Sequence, residues 1–431
     1  MERRYFLLGS AVALGACRTR LSHSPSETVR VACIGLGAQG RQHLNAYSQL
    51  PNVEIAAICD IDDAQISRAL ALLADLDVPK PQVYKDFRKI LDDKSIQALS
   101  IASPNHWHTL MTIWGCQAGK DIYVEKPCSH NIFEARQIVA AARKYDRMVQ
   151  QGTQIRSSVA VREAVQNLRE GLIGDVYLAR GLCFKWRNSI GRMPVEPAPA
   201  GVDYDLWNGP APAHAFTRNR FHYNWHWFWD LGNGDIGNQG LHQMDVARWG
   251  LGVQYPTKVS AMGGHFLFDD DQETPNTLSC MFEFNASGKK QILEFAVRHW
   301  MTDGECVIGD SDHNAIGNLF FGSRGYLAVD SYTSYKTRLG KDQTAGPAKS
   351  EGGDHFLNFI EAVRSRKREK LNAEIQEGAA STVLSHLANI SYRVGRTICF
   401  DSNTMTCIGD EEANRLVTRE YRKPFVVPEV V

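Results

Sequence analysis

The chain has ten cysteines but no Cys-x-x-Cys pair, which removes the zinc-knuckle and redox-dithiol motifs. It has no basic run either. Its 48 basic and 48 acidic side chains balance to a formal net charge of zero. Without a phosphate-tracking surface, nucleic acid is not expected as a partner. Beyond the first seventeen residues no apolar run approaches the roughly 20 residues needed to cross a bilayer. No internal repeat stands out. What remains is an ordinary globular composition, 43% hydrophobic and 22% charged over 431 residues, a length for two domains. Cys33 and Cys59 lie inside apolar strand-like runs and read as buried small hydrophobes.

Residues 1–28 read as a signal and tether rather than fold. Arg3-Arg4 precedes an apolar run to Leu14, and Leu14-Gly15-Ala16-Cys17 resembles a bacterial lipobox, in which the cysteine is lipidated and the chain is cleaved before it. Two agreeing features predict export by a twin-arginine route, giving a periplasmic protein or a lipoprotein whose only membrane contact is its lipid anchor. Glu2 and Gly15 are not the usual residues at their positions. The alternative is a chance basic start and a cytoplasmic protein. Arg18 to Thr28, with Ser and Pro, reads as the tether.

Val29 to Ile34 is strand-like and runs straight into Gly35-Leu36-Gly37-Ala38-Gln39-Gly40. Helical periodicity follows from Arg41 to Leu50, then a second buried strand, Val53 to Cys59, ending at Asp60. A GxGxxG alone is weak. Strand, glycines, helix, strand and an acid about 20 residues on form a dinucleotide fingerprint. Gly35 permits the turn, Gly37 admits the pyrophosphate, Gly40 lets helix and strand pack, and the helix N-terminus at Ala38 and Gln39 faces the anion. Asp60 would accept from the ribose hydroxyl and Asp62 adds negative charge, so NAD is expected rather than NADP.

The alternation continues through a helix at Ala64 to Leu76, a strand at Ala98 to Ala102, a helix at Leu110 to Ala118, a strand at Ile122 to Val124, a helix at Asn131 to Tyr145 and a strand at Met148 to Gly152. Such alternation predicts a doubly wound parallel sheet over 29–154, whose ligand-binding loops gather at the strands' carboxyl ends. Ser103, Asn105, His108, Glu125, Lys126 and Gln154 all fall in such loops. Glu125-Lys126-Pro127 alone reads equally as a surface ion pair before a turn. Its place at a strand end puts the lysine beside the cofactor, and the proline makes a cis bond there cheap.

From about Val176 the pattern changes to longer strands with few helices between them: Val176 to Trp186, Lys258 to His265, Thr277 to Phe284 and Gln291 to Val297, with shorter ones at Leu319 to Gly322 and Tyr326 to Asp330. An α+β domain with a largely antiparallel sheet is expected over 155–431. Thr337 to Glu351, polar and Gly/Lys-rich, reads as an exposed loop. His355 to Arg366 and Ile375 to Gly395 read as helices that return to pack on one of the two domains.

Tyr204 to Trp249 holds five of the nine tryptophans. Any single one is most simply core, but their density beside a glycine-rich stretch, Gly232 to Gly240, reads as the wall of a sugar pocket. Arg187, Tyr223, Trp225 and Asn238 are the expected substrate contacts there. Leu241 to Trp249 is helical, and Asn238, His242 and Asp245 share one face if the helix begins that early. His242 is the candidate general base. His222 and His226 are four apart, and His106 and His108 two apart, but no third ligand is arranged with them, so no metal is expected.

Gly35-x-Gly37-x-x-Gly40, Glu125-Lys126-Pro127 and Gly240-x-His242-x-x-Asp245 together resemble the Gfo/Idh/MocA oxidoreductases, over essentially the whole chain after the tether, including the stretch from Asn389 to Arg396. The resemblance implies a Rossmann domain, a second domain with an open sheet that often packs on a copy of itself, and oxidation of a hydroxyl on a sugar or cyclitol flanked by Lys126 and His242. One departure is Asn238, where many members have an aspartate four residues before the histidine. An amide cannot share a proton, which shifts proton work to His242.

Export adds a tension, because free NAD is not expected outside the cytoplasm. A cofactor carried inside the folded protein must be restored in each cycle. That favours sugar-to-sugar redox, recycling by a partner protein, or glycoside cleavage by oxidation, elimination, hydration and re-reduction, as in the family's NAD-dependent glycosidases. The N-acetylgalactosaminidase branch carries a Tyr-Pro-Thr-His stretch that this chain lacks, so that substrate is not expected. The non-enzyme alternative is a sugar-binding lipoprotein with a vestigial cofactor site.

Overall fold

The computed structural model describes residues 28–286, 288–300, 308 and 314–431. The twin-arginine and lipobox residues, Arg3 to Cys17, lie outside the described residues.

Six strands build the first sheet: β1 (Val29–Ile34), β2 (Val53–Cys59), β3 (Gln82–Tyr84), β4 (Ala98–Ile101), β5 (Asp121–Val124) and β6 (Val149–Gln151). All are parallel, in the order β3-β2-β1-β4-β5-β6. Helices cover both faces, so β1, β4 and β5 are almost wholly buried and their sequences are near-continuous apolar runs. The strand order reverses between β1 and β4. The helices Ala38–Ser48 and Asn105–Gln117 start at the carboxyl ends of these two strands, which opens a crevice between them. β3 is short and largely exposed, without apolar periodicity, and the sequence reading missed it.

Ten strands form the second sheet: β7 (Val176–Phe184), β8 (Lys258–Gly264), β9 (Thr277–Ala286), β10 (Lys289–Arg298), β11 (Ala315–Gly322), β12 (Gly325–Ser331), β13 (Ser334–Leu339), β14 (Thr344–Ser350), β15 (Ile398–Asp401) and β16 (Thr406–Cys407). Their order is β14-β13-β12-β11-β7-β10-β9-β8-β15-β16, antiparallel except for β7 beside β10. The helix Gly240–Leu251 packs across β7, β10 and β11. Thr337 to Glu351, expected as an exposed loop, instead carries the end of β13 and all of β14. Only Tyr335 and Thr337 of β13 are buried, and β14 is a solvent-facing edge strand containing Pro347, so neither shows an apolar alternation.

Of the two C-terminal helices, the first packs on one unit as expected and the second fastens both units together. His355–Ser365 adds Phe359, Ile360 and Val363 to the core of the first sheet, beside Val31, Leu44 and Tyr123. Ile375–Val394 packs on the helix Ile132–Lys144, on β6, on β8 and on Gly240–Leu251.

Asp245 belongs to this junction and not to a site face. The short turn Gly234–Gly237 ends at Asn238, whose backbone (φ −83°, ψ −96°) is not helical, and the helix begins only at Gly240. Asn238, His242 and Asp245 therefore do not share one helical face. The Asp245 carboxylate is forked by Arg156 (Nε–Oδ2 2.7 Å, Nη2–Oδ1 2.9 Å) and takes the Ser381 hydroxyl at 2.5 Å. Burial alone would raise its pKa, but the Arg156 charge and hydrogen bonds hold it below the usual range. Asp245→Ala leaves a buried guanidinium unpaired. It is expected to cost about 3–5 kcal/mol in denaturant unfolding while leaving NAD affinity within a few-fold; unchanged stability would remove this junction role.

Candidate active site

A cavity of about 800 Å³ opens at the carboxyl edge of the first sheet and extends to the second. Gly35, Gly37, Ala38, Gln39, Asp60, Ser103, Asn105, His108, Glu125, Lys126, Gln154, Tyr223, Trp225, Asn238 and His242 all line it. Gly40 and Arg187 do not. Gly40 lies under the turn, where a Cβ would come within 1.8 Å of the Gly35 carbonyl oxygen.

At the nucleotide end the turn after β1 has the shape the fingerprint requires. Gly35 has φ +81° and is pressed against Ala102, whereas a side chain at Gly37 would meet nothing within 4 Å. That open space before a helix N-terminus suits a pyrophosphate. Asp60 accepts from the backbone N–H of Leu36 at 2.6 Å and of Asp62 at 3.0 Å. Burial pushes its pKa up to about 6 despite these donors. Such an under-satisfied carboxylate is the acceptor that ribose hydroxyls would complete, so the residues present fit NAD. Asp62 caps the helix Asp63–Asp75 and pairs with His222 at 3.1 Å. Through this pair and a bridge to Val202, the aromatic segment reaches over the loop that carries Asp60.

Glu125 organises the centre. Its Oε1 takes N–H donors from Gln39 at 3.0 Å, His43 at 3.1 Å and Gln154 at 2.9 Å, and its Oε2 takes the backbone N–H of Lys126 at 3.2 Å. Burial would raise its pKa, yet the hydrogen bond from His43 and the charge of Lys126 hold it down at about 2. A Cβ at Gly152 would stand 2.6 Å from this carboxylate, which explains a glycine at the end of β6.

The Lys126–Pro127 peptide bond is cis. The half-buried Lys126 donates from Nζ to Asn238 Oδ1 at 3.2 Å, and burial lowers its pKa. Asn238 Nδ2 donates to the Tyr223 hydroxyl at 3.3 Å, and Arg187 Nη1 donates to the same oxygen at 2.8 Å. Arg187 is forked on buried Asp235 through two 2.7 Å bonds, so it stands behind the cavity wall and braces Tyr223. Lys126, Asn238, Tyr223, Arg187 and Asp235 thus form one chain of polar contacts.

His242 is buried, and its Nδ1 has no partner among the described residues. Burial, reinforced by the Lys126 charge, takes its pKa down to about 3, leaving a neutral imidazole at neutral pH. The Tyr332 ring lies 5.1 Å away. His108 touches the carbonyl oxygens of Ser103 and Pro127, each at 2.6 Å, and so pins two loops together. Asn105 donates to Asn233 at 2.9 Å. His106 contacts the carbonyls of Leu231 and Trp207, and His226 Nδ1 that of Tyr223. Of the five tryptophans in the aromatic segment, Trp207 and Trp225 line the cavity, whereas Trp249 stacks on Arg156 and Trp229 on Arg393.

Sequence reasoning missed Lys185, Gln239 and Tyr332, which also line the cavity, and Asp235 behind it. Asp235 left a signal, a lone acid inside a glycine-rich apolar stretch. The others carry no motif.

Because ribose hydroxyls donate to the ionised form of Asp60, NAD binding has to expel its proton at low pH. Affinity is expected to weaken as pH falls from about 8 to about 5, by up to about tenfold per unit below the carboxyl pKa. Asp60→Asn should flatten the profile. Calorimetric titration across this range reads both, and a flat wild-type profile would sink the assignment.

Comparison with known proteins agrees with this architecture. Residues 29–153 match the oxidoreductase family domain with an NAD-binding Rossmann fold, and 158–427 match the same family's C-terminal alpha/beta domain. The chain is 30% identical over 154 residues to a glycosyl hydrolase family 109 protein of Shewanella sp. (strain W3-18-1) and to an alpha-N-acetylgalactosaminidase of Shewanella oneidensis. Each match covers 35% of this chain and 34% of the relative, so the chain spans about a third of the length of these curated relatives. Among solved structures, levoglucosan dehydrogenase with NADH and L-sorbose superposes with a TM-score of 0.67 at 18% identity, covering 86% of this chain and 98% of that one. Aldose-aldose oxidoreductase from Caulobacter crescentus with glycerol gives 0.63 at 17%, covering 86% and 100%. These structural likenesses are of fold. With both domains matched from residue 29 to residue 427, the chain belongs to the Gfo/Idh/MocA family of NAD-binding oxidoreductases.

Proposed function

We propose that the protein oxidises a hydroxyl of a sugar, glycoside or cyclitol, with Lys126 and His242 on either side of the reacting carbon. The observation that carries this reading is one cavity containing both the Lys126 ammonium and a neutral, buried His242 with an unpartnered ring nitrogen. NAD, when bound, supplies the hydride acceptor. Lys126 donates to the substrate oxygen and stabilises the negative charge that develops there as the proton leaves. His242 takes that proton, since its depressed pKa keeps it unprotonated. Asn238 aims Lys126 through its amide oxygen without neutralising it, so the lysine keeps its full charge for the substrate.

A second reading is redox-neutral glycoside cleavage with a retained cofactor, in which the substrate is oxidised, eliminated, hydrated and reduced back. The glycoside-hydrolase names of the 30%-identical relatives favour it. Twin-arginine export, as residues 3–17 read, fits the same scheme, since that route carries folded proteins. The half-exposed face of the second sheet is where we place a homo-oligomer contact.

Protein as purified, mixed with 4-nitrophenyl glycosides and no added NAD, separates the readings. Nitrophenol release supports the cleavage cycle, and growth of the NADH band with sugars plus NAD supports net oxidation. Silence in both assays despite sugar binding supports a non-catalytic binding protein. Lys126→Ala is expected to abolish turnover in either reaction while leaving NAD affinity nearly intact; wild-type-like rates would refute the assignment.

A further inference from the structure

At the substrate end of the cavity, beside His242, three side chains form a unit that the proposed chemistry does not use. Lys185 follows β7, Tyr332 lies in the turn between β12 and β13, and Gln239 precedes the helix of His242. Gln239 lies between the other two. Its Nε2 donates to the Tyr332 hydroxyl at 2.8 Å, and its Oε1 accepts from Lys185 Nζ at 3.4 Å. The Tyr332 oxygen is thereby used as an acceptor, which leaves its own proton free to donate. Lys185 has one long contact for three N–H groups and no ion pair with any described residue.

The acids nearest this unit are engaged elsewhere and leave Lys185 itself without an ion pair among the described residues. Asp235 is forked by Arg187 and also pairs with His299. Glu125 is filled by Gln39, His43, Gln154 and the Lys126 backbone N–H. Lys126 meets an amide, not a carboxylate. Two ammonium groups therefore face one cavity whose substrate end is lined, among the described residues, by the single carboxylate of Glu125; that acid acts on Lys126, whereas Lys185 makes no ion pair with a described residue. Cations left unpaired in a partly buried cleft are stabilised by an anion that the ligand brings.

We infer that Lys185 and Tyr332 form a carboxylate-binding subsite, and that the substrate is an acidic sugar or glycoside of the uronic acid class. One ammonium and one phenol match the two oxygens and single charge of a carboxylate, whereas a phosphate dianion would call for more donors. This identification of the substrate class rests on the sugar-oxidising reading of the same cavity.

Calorimetry on the NAD-loaded protein tests it, comparing D-glucuronate with D-glucose and D-galacturonate with D-galactose. The acidic member of at least one pair is expected to bind about tenfold tighter or more, with the margin shrinking in high salt. K185Q and Y332F should each reduce the margin, and K185R should retain it, which separates charge recognition from a fold defect. Equal binding, preference for the neutral sugars, no binding of any of the four, or a margin that survives K185Q would overturn the inference. Tighter binding of D-glucose 6-phosphate than of the uronates would overturn the carboxylate assignment. NADH formation and nitrophenol release are followed with the same pairs and with their nitrophenyl glycosides. Lys185-dependent uronate binding without turnover would leave the subsite standing and remove the reaction, and turnover of neutral sugars without a Lys185-dependent margin would do the reverse.

Discussion

The buried carboxylate of Glu125 is the constraint on which the site depends. An ionised acid inside a protein persists only if its oxygens are filled, and here the donors come from three separate segments of the first unit. Gln39 and His43 come from the helix after β1, Lys126 N–H from the end of β5, and Gln154 from the turn after β6. Satisfying one charge therefore fixes the mutual positions of the nucleotide turn, the lysine and the entry to the second unit. Gly152 is part of the same arrangement, because any side chain there would displace the carboxylate. Lys126 is aimed by its neighbour as much as by its own contacts.

Replacing a carboxylate by Asn238 changes where negative charge sits, not whether it is present. Asp235, one turn earlier and fully buried, holds that charge and passes its influence through Arg187 to the Tyr223 hydroxyl and on to Asn238. Only neutral groups then touch Lys126 Nζ directly. Its pKa is lowered by burial, and the acids around it offset that only in part. No carboxylate of the described residues hydrogen-bonds the Lys126 ammonium.

What the sequence disclosed follows from the kinds of physics that leave local marks. The β1–turn–helix–β2 unit and its terminal acid were legible because apolar runs, glycine spacing and Asp60 are contiguous. The end of β5 was legible because a strand stops at a lysine. Asp245 was misread because helical spacing gives an angle only if the helix is continuous, and Asn238 interrupts it. Its true partners, Arg156 and Ser381, lie 89 and 136 residues away and could not be found by spacing. β13 and β14 were hidden because an edge strand with one half-covered face needs few apolar residues. Lys185 and Tyr332 come from distant strands of a ten-stranded sheet and Gln239 from the start of the helix packed on it, so the three meet only in the folded chain.

The connections between the two units bear on how the cavity can work. Arg156 lies in the same turn as Gln154, and it is locked to the helix that carries His242. Ile375–Val394 packs on both units at once. A hinge that separated Lys126 from His242 would have to break the Arg156–Asp245 pair in a dry interior, a cost on the order of several kcal/mol. The lysine and the histidine are thus held together before substrate arrives. The contacts across the nucleotide rim, His222 with Asp62 and Lys85 with the Gly201 carbonyl, are partly exposed and individually weak. Motion is therefore easier at the nucleotide rim than between Lys126 and His242.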